Sequence, residues 1–388
     1  MTVDLSGPLY ASLEKAKKQF EKAKREKNIE LAKEKARECA RISRALAKNV
    51  PNYADIYLKQ ADDWDRKSEQ VAEKKRLEKT TGGGASETDE TDEYKAQIEA
   101  LISKSKVTWK DIGGLERVKQ LMMETIVISG LKKPESIKPW KGILLFGPPG
   151  TGKTLLAAAA AGSLNATFIN VEAGKILSKY FGESSKLISA LYEVARERAP
   201  TIVFIDEFDA LSISRDGDIS EASRRMLSSL LSALDGLQDK KSKNFVLTLA
   251  ATNTPWNLDQ AVLSRFPRRI NVSLPDEKAC QEIVKIHTKD LDISNIQLPE
   301  IAEKCVEKMY SGRDLSNLCQ LTMWNMVREE NKNLSALASL SYEELMKKSL
   351  KVRSLEMKDF YDAFENIKTP LTENAIEKYG QWSKEFGE

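Results

Sequence analysis

Apolar positions divide the chain into three regions by their spacing. Up to about residue 76 they recur every three or four positions between lysines and glutamates, the period of one helix face. Leu9, Leu13, Ala16, Phe20 and Ala23 form the first stripe; Ala32, Ala36, Cys39, Ala40, Leu46 and Ala47 form the second. Asn28 is placed to cap the second helix, and Pro51 ends it. Asn52 and Asp55 open a third helix, with Tyr53, Tyr57, Ala61, Trp64 and Val71 along one side. The small alanines permit close approach, so residues 1–76 are predicted to form an antiparallel three-helix bundle. Residues 77–105 lose this period: 80–86 are Thr, Gly, Ala and Ser, and 87–93 are acidic. They read as a flexible acidic tether, with a short helix from Tyr94 to Ile102. From residue 106 short continuous apolar runs appear, at 142–146, 167–171, 201–205 and 245–251, separated by helical stretches. Such runs are what strands buried on both faces require, so 106–274 are predicted to be an α/β domain. Beyond Pro275 the period is helical again, and 275–388 read as a small helical domain.

Composition narrows the function classes. A net charge of +3 over 388 residues argues against a dedicated nucleic-acid binder. No apolar run approaches the ~20 residues of a membrane span, and MTVDLSGPLY has no signal-peptide core. Cys39, Cys280, Cys305 and Cys319 are scattered, and His287 is the single histidine. That leaves no material for a His/Cys zinc site or a His-based triad, and the cysteines read as buried, reduced packing residues of a cytosolic protein.

The chemistry is concentrated after the first buried strand. Gly147-Pro148-Pro149-Gly150-Thr151-Gly152-Lys153-Thr154 follows residues 142–146 and opens the apolar run that starts at Leu155. Strand, glycine loop and helix start together make a phosphate site: main-chain N–H groups and the helix dipole face the phosphates. Lys153 brings charge to the β- and γ-phosphates, and Thr154 offers a hydroxyl to Mg²⁺. The strand 201–205 ends in Asp206 and Glu207. Asp206 is expected to hold Mg²⁺ and Glu207 to act as general base on water, while Asp209 reads as a cap or ion-pair partner. The residues alone therefore predict an Mg·ATP-hydrolysing P-loop enzyme with a tethered helical adaptor.

These motifs resemble the AAA ATPases, and within them the meiotic clade of the vacuolar protein sorting-associated protein 4 type. The resemblance implies an α/β AAA+ P-loop fold, a large α/β domain with a small helical lid. Asp111, Ile112 and Gly113 match the segment whose backbone lies against adenine. Lys179, Tyr180, Phe181 and Gly182 match the first pore loop of a ring, where aromatic faces grip an extended chain; ordinary core packing is the alternative for Tyr180 and Phe181. The run Ser220-Glu221-Ala222-Ser223-Arg224-Arg225 resembles the helix after the second pore loop, or else a basic helix face. Asn253 matches an amide that reports the γ-phosphate, and Arg265 the arginine finger offered to a neighbouring subunit. Ser264 stands where relatives commonly carry a second arginine, so Arg268 and Arg269 are kept as helpers. Ser311 and Gly312 match the lid helix start that approaches adenine, and the terminal helix is expected to pack back on the large domain.

The N-terminal bundle resembles an MIT domain, which binds tails of ESCRT-III filament proteins; a bundle that only solubilises or oligomerises is the alternative. Too few residues lie between Asn331 and Asp359 for the β-rich lid insertion of eukaryotic relatives, as in the archaeal cell-division type. The resemblance implies an ATP-dependent hexameric ring with ATP and Mg²⁺ as cofactors. It would thread ESCRT-III-like filament subunits through its pore in archaeal division or membrane scission. It would be cytoplasmic, reaching the membrane or division site only through those partners. The alternatives are a katanin- or spastin-like motor on another polymer and a nucleotide-gated binding protein.

Overall fold

The computed structural model describes residues 6–25, 29–49, 57–65, 87–134, 136–137, 139–174, 184–211, 221–237, 245–337 and 339–388. They fall into two compact units, residues 1–87 and 88–388. In the first, helices Ser6–Arg25 and Ile29–Asn49 pack through the stripes their spacing predicts. Leu13, Ala16, Phe20 and Ala23 bury against Ala32, Ala36, Cys39, Ala40 and Leu46. Residues 57–65 are helical and add Trp64, whose ring meets Phe20 edge-on at 5.2 Å. Tyr53 and Val71 of the expected third stripe lie outside the described residues, as do residues 77–86 of the tether.

The second unit is built on a six-stranded sheet in the order β1-β3-β4-β5-β2-β6. The strands are β1 (Ile102–Ser103), β2 (Gly142–Phe146), β3 (Thr167–Glu172), β4 (Thr201–Asp206), β5 (Val246–Thr252) and β6 (Arg268–Asn271). All pairs are parallel except β1 with β3. Alternate residues of the central strands enter two different cores, which is why these strands read as unbroken apolar runs. Leu144, Phe146, Val203 and Ile205 pack under helices Ser184–Glu197 and Glu221–Leu237. Ile143, Leu145, Ile202 and Phe204 pack under helices Glu116–Gly130 and Lys153–Leu164.

The second unit begins earlier than the composition of its leading segment suggests. Residues up to 105 read as tether, but helix Glu87–Glu99 places Tyr94 and Ile98 in the sheet's core, and β1 extends the sheet beyond β3. Lys95 pairs with Glu193 at 2.9 Å and Glu197 at 3.1 Å. Two apolar anchors one helical turn apart suffice, because the far side of the helix can stay acidic in water.

Helices Glu277–His287, Leu298–Glu307, Gly312–Glu330 and Met357–Asn366 form the lid around Cys280, Cys305, Cys319, Tyr310 and Phe360. These cysteines are free and buried, and burial pushes the Cys319 thiol up to about 12. Between Asn331 and Met357 the described residues hold two single-turn helices, Leu334–Leu337 and Tyr342–Leu345, and no strand. The last helix, Glu373–Phe386, returns to the large domain, where Trp382 meets Phe146 with ring centroids 4.5 Å apart. No helix among the described residues is long and apolar enough to cross a membrane.

Candidate nucleotide site

Strand order gathers the site. β4, β5 and β2 are neighbours, and their carboxyl ends deliver Asp206-Glu207, Asn253 and Gly147 to one edge of the sheet. Open parallel sheets place ligands at this edge. A cleft of about 550 Å³ lies there between the large domain and the lid.

The phosphate loop is shaped by its own hydrogen bonds. Lys153 Nζ, buried, donates to the carbonyls of Gly147 at 2.9 Å and Pro148 at 2.8 Å. Thr151 Oγ1 donates to Pro148 O at 2.9 Å. Burial lowers the Lys153 pKa to about 8, against the pull of Asp206 and Asp209. Gly150 has φ +81°, and a Cβ there would stand 2.6 Å from Ser311 Oγ, so only glycine lets the loop lie against the lid. The helix begins at Lys153, leaving its first N–H groups aimed into the cleft.

Across from the loop, Thr154 Oγ1 donates to Asp206 Oδ2 at 2.8 Å, and Asp206 Oδ1 accepts from Glu207 N at 2.9 Å. Glu207 has φ 51°, a left-handed conformation uncommon outside glycine. Asp209 is structural: it accepts from Thr252 Oγ1 at 2.7 Å and Thr254 Oγ1 at 2.9 Å, fixing both residues that flank Asn253. Asn253 Oδ1 is buried on the cleft wall with no hydrogen-bond partner among the described residues.

On the opposite wall, Asp111 accepts from Thr108 N and Oγ1, and Lys119 Nζ donates to Ile112 O at 2.8 Å. The lid's Glu282 accepts from Gly114 N at 2.8 Å, tying this segment to the lid. Gly114, at φ +64°, abuts Ala279 so closely that a Cβ would stand 2.2 Å from its methyl carbon.

Of the residues expected to bind nucleotide, Asp111, Ile112, Gly113, Pro149 to Leu155, Asp206 and Gly312 line the cleft, together with Glu207 and Asn253. Gly147 and Pro148 hold Lys153 from behind. Ser311 is not part of the cleft lining: buried at the helix start, its hydroxyl accepts from Asp314 N while its own N donates to Asp314 Oδ2, a capping box for helix Gly312–Glu330. The lid adds residues that sequence reasoning passed over: Ile283, Ile286, His287 and Arg313. The signal for Ile283 and Ile286 was their three-residue spacing on an amphipathic helix; Arg313, whose N donates to Gly150 O at 3.0 Å, carried none of its own. Lys179 to Gly182 lie outside the described residues.

Comparison with known proteins gives this cleft its context. Residues 143–274 match the ATPase family associated with various cellular activities, and 336–387 match the Vps4 C-terminal oligomerisation domain. The A-like 1 katanin p60 ATPase-containing subunit of Homo sapiens is 37% identical over 360 residues, 89% of this chain and 71% of that protein. The chain belongs to the AAA ATPase family. Spastin of Naegleria gruberi is 35% identical, with 75% of this chain covering 54% of it, and the Danio rerio katanin relative is covered over 58% of its length. The FIGL-1 AAA domain superposes with a TM-score of 0.64 at 30% identity, covering 78% of this chain and 99% of that one. A katanin structure described for its self-assembly gives 0.60 at 28% identity.

This AAA ATPase binds and hydrolyses ATP, and its remaining arginines divide sharply. Arg265 does not line the cleft of its own chain. It ends helix Gln260–Arg265, part-exposed, and holds Asp235 with Nε at 3.1 Å from Oδ1 and Nη2 at 2.9 Å from Oδ2. Arg268 and Arg269, kept as helpers from the sequence, are committed to the fold. Arg268 pairs with Glu388 and donates to Thr125 Oγ1 at 2.9 Å. Arg269 donates to the carbonyls of Leu263, Phe266 and Phe386, at 2.8, 3.0 and 2.9 Å. Both guanidiniums are thus engaged within their own chain, each with part of its five N–H donors still unspent.

Proposed function

We propose that this AAA ATPase is a ring motor that severs or unfolds a protein polymer, in the manner of katanin and spastin, by drawing subunits through a central pore. The observation that carries the reading is the position of Arg265. A chain that gathers Lys153, Thr154, Asp206, Glu207 and Asn253 in one cleft, yet turns Arg265 onto Asp235 outside it, is suited to hydrolysis between subunits. The match to an oligomerisation domain at 336–387 and the self-assembling katanin neighbour support a ring.

In this reading the loop N–H groups and Lys153 hold the phosphates, and the Asp111–Gly113 backbone holds the base. Glu207 orients the water and takes its proton; Asn253 bridges water and γ-phosphate. Arg265 leaves Asp235 to meet the negative charge developing on a neighbour's γ-phosphate, an interaction worth about 10³–10⁵ in rate. Thr154 and Asp206 would hold Mg²⁺, and they fit it: two oxygens 2.8 Å apart stand beside the helix start that faces the phosphates. When bound, the ion neutralises charge on the phosphate oxygens. Tyr180 and Phe181 grip the extended substrate, and the N-terminal bundle captures the polymer on its tether.

A second polymer class has its own support. The Vps4-type segment and the Ser220 to Arg225 run favour an ESCRT-III-like filament, with the bundle acting as an MIT adaptor and the enzyme cytoplasmic until a filament recruits it. The katanin and spastin relatives weigh toward the first class. Sedimentation of tubulin-type polymers and of ESCRT-III-type filaments with the full chain and ATP tests both. One polymer should leave the pellet with the wild type and stay with Tyr180→Ala, whose basal ATPase persists. Intact pellets of both polymers under active turnover would overturn the motor reading.

A further inference from the structure

Helix Glu373–Phe386 reaches the catalytic edge from the far end of the sequence. Its Trp382 packs on Phe146, the last residue before the phosphate loop. Its Tyr379 packs on Trp256 with ring centroids 5.1 Å apart, and Lys378 Nζ lies 3.7 Å from the Trp256 ring centre. Beyond packing, the Tyr379 hydroxyl donates to the main-chain carbonyl of Asn253. Tyr379 is buried, and burial raises its pKa, so the hydroxyl keeps its proton through the neutral range.

That bond completes the fixation of one short segment. Asp209 already holds the hydroxyls of Thr252 and Thr254, on either side of Asn253. The Asn253 carbonyl is the main-chain handle between them, and Tyr379 takes it from the opposite direction in sequence. The side chain of Asn253 is by contrast uncommitted at Oδ1, on the cleft wall. An amide that must meet both water and phosphate works only if its backbone is held to within about 0.5 Å.

We infer that Tyr379 is a positioning residue for ATP hydrolysis, whose hydroxyl sets the Asn253 main chain and thereby makes the C-terminal helix a working part of the site. The inference rests on the assignment of Asn253 to the reacting phosphate. It gives the helix a role separable from assembly: it reports to the residue that senses the phosphate and, through Trp382, to the strand that carries the loop.

The test is steady-state ATP hydrolysis by the full chain with Tyr379→Phe, which keeps the ring on Trp256 and removes only the hydroxyl. One hydrogen bond to a catalytic segment is expected to lower kcat about three- to tenfold, with the ATP KM within about twofold of wild type. The dependence of specific activity on protein concentration should be unchanged. In an Asn253→Ala background the same substitution should add less than about twofold, because both changes act on one group. Unchanged kcat, equal losses in both backgrounds, or recovery of wild-type kcat at high protein concentration would each overturn the inference. Full turnover by Asn253→Ala alone would remove the underlying assignment and, with it, the role of Tyr379.

Discussion

Lys153 illustrates how the site stores its response to nucleotide. Burial holds its pKa near 8, while phosphate oxygens favour the charged ammonium and raise it. Above pH 8 the free protein therefore carries a largely neutral Lys153 that must take up a proton when ATP binds. By linkage, affinity should be flat below about pH 7.5 and fall as pH rises past 8, by up to about tenfold per unit. Calorimetric titration at pH 8.5 in buffers of different ionisation enthalpy should register net proton uptake; pH-independent affinity from 7 to 9 would contradict this. The residues nearest the phosphates were legible because their chemistry needs a fixed local spacing: glycines, lysine and threonine in one loop, two acids at one strand end. Asp235, Arg313 and Tyr379 were not. Each reaches its partner from a distant segment, and nothing adjacent in sequence marks it. The capping task of Ser311 was hidden for the opposite reason, since Ser-x-x-Asp satisfies a helix start as readily as it approaches a ligand.

At the scale of elements, helix Glu87–Glu99 separates composition from packing. Its acidic run reads as tether, yet Ile98 is only 1% exposed in the core shared with β3 and β4. Ile98→Ala should therefore destabilise the ATPase unit by about 2–5 kcal/mol, the usual loss for a buried aliphatic side chain. Urea unfolding followed by tryptophan fluorescence measures it; a change below about 0.5 kcal/mol, the range of surface substitutions, would return the helix to the linker. The buried strands were legible from their unbroken apolar runs, and the lid from its helical period. The neighbour order β4-β5-β2 was not, because pairing between remote strands leaves no periodic trace in any one of them.

At the scale of the molecule, what matters is where catalysis is completed. The cleft has its own lysine, acids and amide, and Arg265 is turned outward onto Asp235; in the proposed ring each site borrows Arg265 from the next subunit. Heterologous contacts of this kind form a ring where the rotation between subunits closes. Mixed assemblies of two inactive variants test this most directly. Glu207→Gln removes the base but keeps the arginine, and Arg265→Ala removes the arginine but keeps the base. In an equal mixture, about a quarter of the clefts would combine an intact Glu207 with an intact Arg265 from the neighbour. ATP turnover of the mixture should then rise well above that of either variant alone. Turnover equal to the mean of the two would contradict hydrolysis between subunits and confine the active site to one chain.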